Sequence, residues 1–258
     1  MKILISNDDG IHAPGISALY HAVKELAEVI VAAPATQMSA VGHAITISDP
    51  IKVNEITTVD GMRGYAIGGT PADAVKVAVQ ALMDTPPDLI ISGINLGPNA
   101  GISILYSGTV SAATEGSILG IPSIAISINT FTNPLWDTAA RVAKSFIKQV
   151  IQNGIPGNTL LNINVPNKPH RELRGYRFTS MGKSQYKEIF HRRTDPRGNV
   201  YFWMDGEMEL EPGQTGTDVQ AIDENYISIT PLSFDLTHHA MLDKLRSSFA
   251  LPADINDR

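Results

Sequence analysis

One rhythm governs the first two-thirds of this 258-residue chain: short apolar runs alternate with stretches of helical spacing. KILISN is followed by Ile16, Leu19, Tyr20, Val23 and Leu26 at helical intervals, and then by EVIVAAP. TPADAVKVAVQALM leads into PDLIISGIN, SGTVSAATEGSILG into IPSIAISI, and WDTAARVAKSFIKQVIQNG into TLLNINVP. Apolar runs of this length, bounded by turn residues, suit strands buried on both faces. Strand, helix and strand in succession build a parallel sheet with helices on both sides. The expected class is α/β, a doubly wound and mostly parallel sheet. Local signals agree: Thr70 is a good N-cap, Pro71 suits a first helical turn, and Asp73 lies near the positive end of the helix dipole.

From about Arg174 the rhythm breaks. GYRFTSMGKSQYKEIFHRRTDPRGNVYFWMDGE carries aromatics, charges and the turn signal DPRGN, which reads as two extended segments joined by a hairpin. ENYISITPLSF is a further strand candidate and HHAMLDKLRSSFA a short C-terminal helix, with His238 and His239 at its surface start. The chain is therefore expected to divide into a catalytic core over 1–170 and an extension over 171–258. The arm from about Gly175 to Glu207 holds Tyr176, Phe178, Tyr186, Phe190, Tyr201, Phe202 and Trp203, interleaved with Lys183, Lys187, Arg192, Arg193 and Arg197. An isolated two-stranded ribbon is at best marginally stable in water, so this arm is expected to make a homo-oligomer.

Composition excludes several classes. With 43% hydrophobic and 18% charged residues, the chain is an ordinary globular one. A net charge of −6 argues against gripping a nucleic-acid duplex through its backbone. The absence of cysteine removes thiol catalysis, disulfides and thiolate metal sites. The N-terminal apolar run is too short for a signal peptide and nothing approaches a membrane span, so the expected location is cytoplasmic.

Ligands of open α/β sheets bind beyond the carboxyl ends of the strands. Here the first strand ends in Asn7, Asp8, Asp9 and Gly10, and two adjacent carboxylates repel unless one is protonated or a cation sits between them. The second leads to PATQMSAVGHAIT, with Ser39 and His43, and the third ends in SGINLGPNAG, with Asn95 and Asn99. Carboxylate, amide and hydroxyl oxygens are hard donors suited to Mg²⁺ or Mn²⁺. YSGTVSAATEG sets Ser107, Gly108 and Thr109 at a helix start, where free N–H groups and the dipole favour phosphate. Taken singly, Asp-Asp-Gly is also a common turn, GINLGPNAG a flexible loop and SGTV a helix cap. Together they suit an enzyme acting on a phosphate ester. His12 and His43 are second-tier candidates, since a lone histidine beside a loop is more often a surface or hydrogen-bonding residue. The dinucleotide fingerprint, the P-loop and the nucleophile elbow are missing, as is an Asp-x-Asp after the first strand.

ILISNDDGIHAPGI, VAAPATQMSAVGHAIT, GTPADAV, LIISGINLGPNAG, YSGTVSAATEG, LLNINVP and YISITPLSFDLT, in this order, resemble the blocks of the SurE family of stationary-phase survival proteins, which are metal-dependent nucleotidases. The resemblance implies a Rossmann-like fold, an extended arm used in dimers and tetramers, and hydrolysis of nucleoside 5′- or 3′-monophosphates. It also implies one divalent ion per subunit held by Asp8, Asp9, Ser39 and Asn95. Ala74 stands where some members have cysteine, which touches nothing catalytic. Phosphate would lie at Asn99, Ser107, Gly108 and Thr109, with attack either by a water or by Asp8 or Asp9 itself. A nucleotide-binding sensor and a phosphotransferase are the rival classes, separated by whether free phosphate is released.

Overall fold

Ile3, Leu4 and Ile5 are wholly buried, because the strand they form, β1 (Lys2–Ser6), lies inside a sheet covered on both faces. The computed structural model describes residues 1–211 and 213–249. On one side of β1 runs β2 (Glu28–Pro34), parallel to it, then β4 (Arg63–Ile67), parallel to β2, and at the edge β3 (Val53–Thr57), antiparallel to β4. On the other side β5 (Leu89–Leu96), β6 (Ser123–Asn129) and β7 (Leu160–Pro166) are all parallel. Beyond β7 come β11 (Ile227–Leu232), antiparallel, and β8 (Tyr176–Phe178) at the far edge. The nine-stranded order is β3-β4-β2-β1-β5-β6-β7-β11-β8. The chain leaves β1 toward β2 and later returns to its other flank as β5. The crevice between the carboxyl ends of β1 and β5 is therefore a topological switch point, where ligands of such sheets bind.

Helices cover the two faces as the alternation implied. α1 (Pro14–Val23) and α4 (Trp136–Asn153) lie together on one face. Ile16, Leu19 and Val23 of α1 and Val142, Ala143, Ile147 and Val150 of α4 form the stripes that meet the sheet. On the other face, α2 (Pro71–Val77) and α3 (Gly108–Ile118) pack against each other. Thr70 caps α2 in a capping box with Asp73, and the helix continues into a π-helical turn over Ala78–Leu82. α3 is built of small residues because it lies almost on the strands: a Cβ on Gly116 would stand 2.3 Å from Ser123 Oγ and 2.6 Å from Ile90 Cδ1.

The hairpin exists, with different limits. β9 (Ser184–Thr194) and β10 (Val200–Leu210) pair antiparallel along their whole length as a separate two-stranded sheet. Asp195 closes the turn by accepting from the backbone N–H of Arg197 and Asn199, each at 2.8 Å. Tyr176 and Phe178, expected in the arm, lie instead in β8 of the main sheet, because their backbone pairs with β11. The side chain of Tyr186 lies outside the described residues. Both β8 and β11 come from beyond residue 170 yet extend the main sheet, and α5 (Asp218–Asp223) packs on β11 and β7. α6 (His239–Ser248) buries none of its residues; the final residues, 250–258, lie outside the described chain. Among the described residues no helix is long and apolar enough to cross a membrane.

Candidate metal and phosphate site

After β1 the chain turns sharply. Asn7 Nδ2 donates to Gly10 O at 2.9 Å, Gly10 adopts φ +96°, and Ile11 N donates to Pro34 O at 2.9 Å. This turn leaves Asp8 only 5% exposed and Asp9 half-buried at the mouth of the crevice. Asp8 Oδ1 accepts from the Thr109 hydroxyl, and the Thr109 backbone N–H adds a second bond to the same carboxylate. Asp9 Oδ2 accepts from Leu96 N at 3.2 Å and its Oδ1 from Gln37 Nε2 at 3.4 Å. Burial, with Asp9 beside it, pushes the Asp8 carboxyl up to about 6, although the Thr109 hydroxyl pulls the other way. Burial likewise raises Asp9. Two neighbouring carboxylates that both resist ionisation suit a cation placed between them.

The neutral donors arrive from either flank. Ser39 follows β2; Gln37 Nε2 donates to its Oγ at 2.9 Å while also holding Asp9, and Met38 N donates to Asp8 O at 2.7 Å. Asn95 comes from β5 through a bulge. The β5–β6 register gains one residue between Ser92 and Asn95, centred on Gly93 at φ +138°. An extra residue reverses which face of the sheet the next side chains take. No other residue fits there, since a Cβ on Gly93 would stand 2.3 Å from Ile126 O. Asn95 Nδ2 donates to Gly97 O at 2.7 Å, which commits its nitrogen and leaves its oxygen as the atom available to a cation. Two carboxylates, a hydroxyl and an amide oxygen fit a small hard divalent ion, which takes few protein carboxylates and keeps water or phosphate. No cluster of three or more His, Cys, Asp or Glu occurs among the described residues.

The start of α3 closes the site. Ser107 Oγ accepts from Val110 N at 3.0 Å, which leaves its hydroxyl proton free to donate outward. Gly108 has a reason the sequence did not disclose: a Cβ there would stand 2.7 Å from Asp8 Cβ and 2.9 Å from Asp8 Oδ2. The helix start thus rests on the carboxylate, and Thr109 first of all holds Asp8.

Two other expected residues are placed differently. Asn99 belongs to a buried polar layer: its Nδ2 donates to Ser127 Oγ and its N to Asn164 Oδ1, both at 2.8 Å, while its carbonyl accepts from Asn162 and Asn164. His43 bonds Glu115 Oε2 at 3.0 Å, and Lys76 bonds the other oxygen. Burial opposes the Glu115 anion, yet these two partners outweigh it and hold its pKa below the ordinary range. His43 therefore anchors the Ser39 loop, as does Asp73, which accepts from Thr46 N and Oγ1 at 3.0 and 2.6 Å. His12 is exposed in the turn before α1. Gln37, Glu115 and Lys76 were not foreseen; only spatial proximity reveals them, since Glu115 lies 72 residues from His43 and 39 from Lys76.

The profile of the family described as "Survival protein SurE" matches residues 3–188. The chain is 47% identical over 251 residues to the "5'-nucleotidase SurE" of Syntrophomonas wolfei, covering 97% of this chain and 95% of that one. Against the protein of the same name from Pelotomaculum thermopropionicum, identity is 47% over 248 residues, with 95% and 94% covered. The crystal structure of the SurE protein from Aquifex aeolicus superposes with a TM-score of 0.83 at 41% identity, covering 96% of this chain and 99% of that chain. With this match in sequence and in structure across nearly the whole length, the chain belongs to the SurE family.

Proposed function

We propose that this chain is a metal-dependent 5′-nucleotidase, hydrolysing nucleoside monophosphates to nucleoside and phosphate, at a site that accepts the 3′ esters as well. The carrying observation is the Asp8–Asp9 pair at the switch point with the start of α3 seated on it; the names of the relatives, cited above, agree with that reading. Asp8, Asp9, Ser39 and Asn95 are the proposed ligands of one Mg²⁺ or Mn²⁺ per subunit. When bound, the ion supplies positive charge to the phosphoryl oxygens and lowers the pKa of a water. The protein does the rest. The Gly108 backbone N–H at the start of α3 is available to phosphoryl oxygens without reorganisation, the Ser107 hydroxyl has a proton to give, and Thr109, whose N–H and hydroxyl both go to Asp8, acts by holding that carboxylate. Asn99 acts through the loop it braces, its amide being tied to Ser127. Leu96 N and Gln37 keep Asp9 oriented as a ligand.

The test is phosphate release from a panel of 5′- and 3′-nucleoside monophosphates with Mg²⁺ or Mn²⁺ and with chelator. Metal should raise the rate by at least about a hundredfold, as loss of several kcal/mol of charge stabilisation implies. Equal rates in chelator and in metal defeat the reading, as does binding without turnover.

The same reading includes a cytoplasmic location and a homodimer or homotetramer built through the arm. Phe190, Phe202, Trp203 and Met204 are all exposed on the ribbon, Trp203 by 65%. Interfaces favour such aromatics over solvent. Phe190→Asp combined with Phe202→Asp is expected to shift light-scattering mass to the monomer while the far-ultraviolet circular dichroism of the sheet stays. An unchanged mass removes the arm from the interface.

A further inference from the structure

Phe131 is a large aromatic ring left 74% exposed, yet it is fixed in place. Its Cε1 lies 2.4 Å from where a Cβ on Gly97 would stand, so the ring rests directly on the Gly97 backbone, which adopts φ +110°. The loop carrying it is braced on both sides. Thr130 Oγ1 donates to Thr132 O at 2.5 Å and accepts from Thr132 N at 3.1 Å, while Asn167 accepts from Leu135 N at 2.9 Å and donates to Asn133 O at 3.2 Å. Gly97 is fixed in turn, its N donating to Ile128 O at 3.1 Å and its O accepting from Asn95 at 2.7 Å. The ring is thus one residue removed from a proposed metal ligand. It follows β6, on the flank of the crevice opposite the Gln37 and Ser39 loop, which follows β2.

Scattered single apolar residues on a surface are ordinary and mean little. This one is held against the rim of a site by hydrogen bonds that serve no core. A phosphate seated between the carboxylates and the start of α3 leaves its nucleoside outside the crevice, along the carboxyl edge where the ring stands. We propose that Phe131 stacks on the nucleobase and sets the preference for nucleotides over sugar phosphates that lack a base. A single π-face accepts every base, so the selectivity is for the presence of a base and, through ring area, for purines. This rests on the nucleotidase reading.

The experiment compares wild type, Phe131→Ala and Phe131→Tyr on adenosine 5′-monophosphate and ribose 5-phosphate at saturating Mn²⁺. For Phe131→Ala the ratio of kcat/KM between the two esters should fall by about tenfold, carried by KM for the nucleotide, as loss of one stacking partner implies. Phe131→Tyr keeps the ring and should restore the ratio. A ratio equal in all three proteins overturns the assignment while leaving the nucleotidase reading in place. A wild type that releases phosphate from neither ester overturns both.

Discussion

Asp8→Asn is expected to release phosphate from nucleoside monophosphates at least about a hundredfold more slowly than the wild type, and Asp9→Asn to do the same. Each exchange removes one of the two negative charges proposed to hold a divalent ion and alters almost no volume, so the loss is electrostatic and no cavity forms. The amide oxygen can still accept from Thr109, which now holds Asp8. Stability should move the opposite way in metal-free protein. The Asp8 pKa is raised from its ordinary value of 3.8 to about 6. Between about pH 4 and 6 the native state keeps a proton that the unfolded chain releases. Unfolding free energy therefore falls as pH rises through that window, and the whole penalty stands above it. At pH 7 it amounts to about 3 kcal/mol as an upper bound, from about two pKa units at 1.36 kcal/mol each. Asp8→Asn should accordingly melt higher than wild type in chelator at pH 7, with the difference shrinking toward pH 4. Wild-type turnover in either variant at modest metal concentration rules out the ligand assignment; a difference in melting that grows toward pH 4 rules out the burial argument.

Gly108→Ala is the second large effect. The added Cβ would stand 2.7 Å from Asp8 Cβ, 2.9 Å from its Oδ2 and 3.1 Å from Pro71 Cγ. Asp8 hangs from backbone fixed by β1, and Pro71 opens α2, so neither is the free end of a flexible side chain. The helix start must lift or the carboxylate must swing away. Either movement displaces the proposed metal ligand Asp8 and the helix start together, at a stability cost of about 1 to 3 kcal/mol typical of overpacking. Turnover is expected to fall at least about tenfold, with more Mn²⁺ needed for half-maximal rate, since a small misplacement in a preorganised site is enough. Gly108→Val should be worse. If Gly108→Ala kept both its kinetics and its Mn²⁺ requirement, the close seating of α3 on Asp8 would have no functional meaning.

Much of this was legible in the residues because it was local. The apolar run Ile3–Ile5 and the polar stop after it placed Asp8 and Asp9 at a strand end, Thr70 announced an N-cap with Asp73 at the positive end of the helix, and DPRGN spelled a turn. β3 and β4 were not foreseen: VNEIT lacks apolar alternation because the edge strand it forms is mostly exposed, and in RGYAI only the last two residues, Ala66 and Ile67, enter the core. LLNINVP reads as a strand, but nothing local shows that Asn162 and Asn164 are both buried and serve the loop at Asn99. The bulge at Gly93 is equally hidden, since it is defined by register with a strand some thirty residues later. Gly108 was read as part of a helix start that favours phosphate, whereas the demand for a glycine there comes from Asp8, 100 residues earlier in the chain. Side-chain partners set by tertiary proximity leave no periodicity behind, and that is where a single sequence falls silent.

The polar layer around Asn99 makes the two jaws of the site unequal. The Asn95–Gly101 jaw is bolted into the sheet by Asn162, Asn164 and Ser127, and Gly101 N is held by the buried Asp218. Opening it would strand buried amides without partners, a cost of the order of a core mutation. The jaw carrying Ser39 hangs instead on Met38, His43, Thr46 and Gln37, whose side-chain bonds are exposed or only part-buried. The Ser39 jaw would therefore be the first to yield, while the jaw carrying Asn95 stays in register with Asp8 and Asp9.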